Sequence, residues 1–141
     1  MFLHFLQTKE HKEAFLELAH LVANADGFVN RKERGYLRSI MDEMELQQSG
    51  YAFSSERELK DIVGGIQDDA IKNIFFIEIL LLIFADGDYN DDEKQIVMDI
   101  KRLFGYTDDI YEAFKGWVIR MDKLKIEGTN LILDPSSQLQ H

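Results

Sequence analysis

Five carboxylates crowd the nine residues ADGDYNDDE at positions 85–93. Asp86, Asp88, Asn90 and Glu93 are hard oxygen donors of the kind that hold calcium or magnesium. A related stretch, ADGFVNRKE, fills positions 25–33 and offers Asp26, Asn30 and Glu33. The spacing is not that of an EF-hand. Asp86, Asp88 and Asn90 match its first, third and fifth ligand positions, but Asp91 stands where glycine is needed and Val97 where a bidentate Glu is needed. In the first copy Phe28 occupies the third position, and Arg31 and Lys32 replace Asp91 and Asp92, so the second turn is the stronger cation candidate.

Helix punctuation explains much of the same pattern. Gly27 and Gly87 suit the left-handed residue that closes a helix, and Asn30 and Asn90 suit the N-cap of the next. Glu33 and Glu93 then fall where a carboxylate reaches back to the cap. Asp91, Asp92 and Glu93 lie in a first helical turn, where the macrodipole favours acid by about 0.3–1 kcal/mol per charge. Asp26 and Asp86 fit this account less well, because they follow a helix C-terminus, where the dipole disfavours a carboxylate. An Asx-type hydrogen bond or a bound cation would compensate.

The elements that must position these turns repeat. A shift of 60 residues brings Phe15 onto Phe75, Leu21 onto Leu81, Asp26 onto Asp86 and Glu33 onto Glu93. Each half reads helix, turn, helix. Phe15, Leu18, Ala19 and Val22 recur at helical spacing, and a second helix over about 31–45 turns Leu37, Ile40, Met41 and Met44 inward. Ser55 and Glu58 predict a capping box for a short helix ending near Gly64 and Gly65. Residues 69–84 are apolar nearly all round, as in a central helix. A partner helix over 91–104 stops at Gly105, and Thr107 caps a last one carrying Ile110, Phe114, Trp117, Val118 and Met121. No segment alternates like a strand. The expectation is an all-α fold of six to seven helices, two pseudo-symmetric hairpins in one domain over 1–127, with a tail over 128–141 whose NLIL stretch can dock on the core.

The chain has 141 residues, 45% of them hydrophobic, and a formal net charge of −10. That charge argues against nucleic acid and anionic lipid as partners and leaves cations, basic peptides and basic protein patches. With no cysteine, disulfides, thiolate zinc sites and cysteine catalysis are excluded. MFLHFLQTKEHKE lacks the features of a signal peptide. IFFIEILLLIF is too short to span a bilayer and contains Glu78, which needs a partner if buried, such as Lys, Arg or a backbone group. Glu17 and His20 have the Glu-x-x-His spacing of di-iron bundles, but Ile77 and Leu80 stand where a second copy belongs, so both read as polar-face residues. Phe2, Leu3, Phe5 and Leu6 form an apolar cluster that packs on the body or meets a partner. No nucleophile–base pair, phosphate loop or zinc spacing occurs, and no enzyme is expected.

Two turns of the form ADG-x-hydrophobic-N-x-x-E, each between helices and 60 residues apart, resemble those of the TerB-like, tellurite-resistance family. The resemblance covers roughly residues 10–120. It implies a small, acidic, cytoplasmic, all-helical bacterial protein of stress response, associated with membrane-linked complexes and with divalent-metal binding through the repeated acids. It carries a ligand role to Asp26, Glu33, Asp86 and Glu93; Asp88 and Asn90 are added on their chemistry. The alternative is a metal-free interaction scaffold whose turns are helix caps only.

Overall fold

The computed structural model describes residues 1–23, 31–45, 58–84 and 91–138. Its helices are α1 (Lys9–Ala23), α2 (Arg31–Glu43), α3 (Leu59–Val63), α4 (Asp69–Ile83), α5 (Asp91–Phe104), α6 (Asp108–Leu133) and the single turn α7 (Pro135–Gln138), preceded by a 3-10 turn at Leu3–Phe5. Among the described residues there is no strand, and no helix is long and apolar enough to cross a membrane. Lys9 and Asp69, which open α1 and α4, stand 60 residues apart, the period of the sequence repeat.

The all-round apolarity of α4 makes it the centre. It packs against α1, α5 and α6, and Phe75, Phe76, Ile79, Leu80, Leu82 and Ile83 are all buried. The repeat-related Phe15 and Phe75 meet edge to face at 5.2 Å, a geometry that adds to simple burial. Phe76 gathers Tyr106 and Phe114 around it at 4.9 and 5.3 Å. The amphipathic α1 turns Phe15, Leu18, Ala19 and Val22 inward as its periodicity predicts, and Leu16 joins them.

Local signals set most boundaries. Asp68 opens α4 by accepting hydrogen bonds from the Ala70 and Ile71 N–H groups, and Thr107 opens α6 by accepting from Ile110. Gly105, at φ 74°, takes the left-handed conformation that ends α5. Its own N–H donates to the Arg102 carbonyl.

Two boundaries differ from expectation. The capping box at Ser55 and Glu58 would put Glu58 inside a helix. Instead Glu58 is extended and is itself the residue before α3, with no side-chain cap bond; Ser55 lies outside the described residues. The predicted boundary at 127/128 falls inside α6. One interior glycine costs a helix about 1 kcal/mol relative to alanine, too little to break 26 residues. The stop comes at Asp134, because the following Pro135 disfavours helical backbone there. The NLIL stretch is therefore the end of α6, and with Ile132 84% and Leu133 77% exposed it does not dock on the core.

Candidate functional site

The second acidic turn lies between α4 and α5. The Phe84 N–H closes α4 on the Leu80 and Leu82 carbonyls, so Asp86 comes two residues past the cap. The N-cap readings of Asn30 and Asn90 fall on residues outside the described ones. Asp86, Asp88, Asn90 and Asp26 themselves lie outside the described residues. Glu33 falls in the first turn of α2, and its side chain is outside the described ones. Glu93 is described. It sits in the first turn of α5 and is 5% exposed, whereas its neighbours Asp91 and Asp92 are exposed. Its two neighbours can exchange ions with solvent, while a carboxylate as buried as Glu93 is held by its surroundings. Among the described residues no group of three His, Asp or Glu side chains is placed to hold a metal.

A second carboxylate cluster joins the N-terminus to the core. Glu78 on α4 is 1% exposed. Its Oε1 accepts from the Phe2 N–H at 2.6 Å and lies 3.2 Å from the Met1 amino group. Among the described residues its Oε2 has no hydrogen-bond partner. The partner required by its burial is thus a backbone N–H and an ammonium rather than a Lys or Arg. Glu43, the last residue of α2, completes the cluster. Its Oε1 accepts from the Met1 amino group at 2.7 Å and its Oε2 from the His4 N–H at 3.2 Å. Burial pushes the Glu43 carboxyl up. The hydrogen bond and charge of the Met1 ammonium, with the His4 and Leu3 N–H groups, outweigh it and hold the carboxyl below its ordinary value.

These contacts seat the first six residues. Leu3 and Leu6 are buried, and the Phe2 ring lies 5.8 Å from that of the half-buried Trp117 on α6. Phe5 points out. The N-terminal cluster therefore packs on the body through three of its four apolar residues. Sequence reasoning passed over Glu43, although its signal was there. A carboxylate in a last helical turn faces the same unfavourable dipole that drew attention to Asp86.

A third acidic surface opens between α1 and α3. This cleft, of about 460 Å³, is lined by Glu10, Glu13, Glu17 and Asp61 together with Lys9 and His11. Glu17 was expected on a polar face, yet it is only 8% exposed, because α3 packs over that side of α1. His20, one turn on, is half-buried, and burial lowers its pKa.

The chain matches no family model, no curated protein and no solved structure.

Proposed function

We propose that the chain is a TerB-like, non-enzymatic helical module of cytoplasmic stress response that acts through its acidic inter-helix turns, holding a divalent cation, a protein partner or both. The observation that carries this reading is the duplication. The sequence repeats with a period of 60, the starts of α1 and α4 keep that period, and the residues kept in both turns are Ala, Asp, Gly, Asn and Glu. Helix punctuation accounts for the glycine and asparagine without any ligand. Repeated carboxylates in so acidic a chain add like-charge repulsion, which a cation or a basic partner would relieve. Asp86, Asp88, Asn90 and Glu93 form the preferred donor set, with Asp26 and Glu33 as the weaker copy. Oxygen donors without thiol or imidazole favour calcium or magnesium over transition metals.

The burial of Glu93 favours a second reading, in which the turns are caps and the protein is a metal-free scaffold. A carboxylate reaching back along its own first turn needs no cation. Thermal melts at matched ionic strength, with and without millimolar calcium, magnesium, manganese or zinc, separate the two. A cation at about 100 times its Kd adds about 2.7 kcal/mol of stability. The cation reading expects that shift in the parent and its loss in Asp86→Ala/Glu93→Ala. Absence of a shift with every metal leaves the scaffold.

A further inference from the structure

Helix α6 is longer than the helix it packs on. At 1.5 Å per residue, the 26 residues of α6 span about 39 Å and the 15 of α4 about 22 Å. The proximal half of α6 is seated on the core through Tyr111, Phe114, Trp117 and Val118. From Asp122 to Leu133 every residue is exposed except Gly128, which is half-buried.

The apolar stripe nevertheless continues. Ile110, Phe114, Trp117, Met121, Leu124, Gly128 and Leu131 follow one another at alternating steps of four and three, the spacing of a coiled-coil seam. Ile132 flanks it. Beyond the end of α4 this seam exposes Leu124 at 61%, Leu131 at 47% and Ile132 at 84%. Gly128 sits within it. A Cβ added there would meet nothing within 4 Å, so among the described residues nothing requires a glycine at that position, and it weakens the helix. A glycine in an exposed seam lets a second helix approach closely.

Charge indicates what that helix belongs to. Over residues 121–133, Asp122 and Glu127 offset Lys123 and Lys125, so the distal helix is neutral in a chain of net charge −10. It is a surface on which two copies can meet without the repulsion their bodies would exert. A neutral segment also has no electrostatic attraction to an anionic membrane.

We propose that the distal half of α6 is a homodimer contact, in which two copies of this chain pair antiparallel along Met121, Leu124, Gly128 and Leu131. A two-fold axis near residue 126 sets Leu124 of each copy against Gly128 of the other, the reciprocal contact such symmetry demands. The antiparallel sense opposes the helix dipoles, sets Lys123 of one copy on the same flank as Glu127 of the other, and keeps the acidic bodies apart. Ile126 and Leu133 stand on the other side of the helix and take no part. The surface is independent of the acidic turns.

Sedimentation velocity of the full chain over roughly 5–500 µM tests this, because so short a contact belongs with weak interfaces of micromolar Kd. The expected result is a reversible dimer. Leu124→Glu, and more mildly Leu124→Ala, should weaken it by at least about tenfold, while Ile126→Glu leaves it intact and circular dichroism shows each variant folded. A dimer indifferent to Leu124→Glu, or equally sensitive to Ile126→Glu, overturns the proposal. A monomer throughout the range also overturns it. Amide exchange then distinguishes a stripe covered by the chain's own residues, which is protected, from one left for another protein, which is not.

Discussion

Leu6→Ala is the sharpest test of the packing. Leu6 precedes every α-helix in extended backbone. Chain ends without firm attachment fray, and truncating a side chain there changes stability by less than about 0.5 kcal/mol. Here, however, Leu6 is 1% exposed, as is Leu3, and both belong to the same core as α4. Flanking contacts hold the segment so that the site cannot simply close over a lost side chain. The Phe2 N–H is bound to Glu78, the His4 N–H to Glu43, and the Phe2 ring lies against Trp117. A fully buried leucine in such a site costs about 2–5 kcal/mol on truncation to alanine, combining lost transfer energy with the cavity left behind. For a chain of this size each kcal/mol moves Tm by about 3–4 °C, so the midpoint should fall by roughly 6–20 °C. Phe5→Ala, at a ring 55% exposed, is the internal control and should stay within about 1 kcal/mol of the parent. Urea and thermal melts of the three proteins suffice. If Leu6→Ala matches Phe5→Ala within error, the N-terminal segment is not part of the core.

Two further measurements follow. Thr107→Ala removes the acceptor for the Ile110 N–H and should cost about 0.5–2 kcal/mol in urea melts; Asp68→Ala, which loses two N–H partners and a first-turn charge, should fall in the upper half of that range. Stability should also fall on acidification in two stages. His20 and Glu43 both have folded pKa values below their ordinary 6.5 and 4.5, so the unfolded chain binds more protons as each titrates. The His20 contribution is complete above 6.5 and lost as pH drops through its folded pKa; that of Glu43 is complete above 4.5 and lost likewise. Denaturant midpoints from pH 8 to 3.5 should show the first stage disappear in His20→Gln and the second shrink in Glu43→Gln.

The elements most legible in the sequence were those written in local chemistry. The Thr107 cap, the Gly105 stop and the centrality of α4 each depend on a few neighbouring residues. What was hidden depends on distant ones. The Glu78 partner is a backbone N–H 76 residues away, so no spacing announces it. The burial of Glu17 comes from α3, a five-residue helix whose placement only packing decides. The length of α6 was underestimated because residues 128–141, which open with Gly128, Thr129 and Asn130, read as a tail. The combined propensity cost of those three is small beside the cooperative gain of extending an existing helix.

Glu43 bears directly on how the acidic turns work. Both it and Asp86 were suspect, in principle, for the same reason: a carboxylate near the negative end of a helix. At Glu43 the compensation is the chain's own ammonium and N–H groups. The macrodipole acts mainly within the last turn. Glu43 lies in that turn, whereas α4 already closes at its C-cap Phe84, before the second acidic stretch begins. A carboxylate near a helix C-terminus can thus be compensated by groups of the chain itself, as Glu43 is. A cation at the second turn would be held by its donor set, and the double substitution at Asp86 and Glu93 removes two members of that set while leaving Asn90 in place.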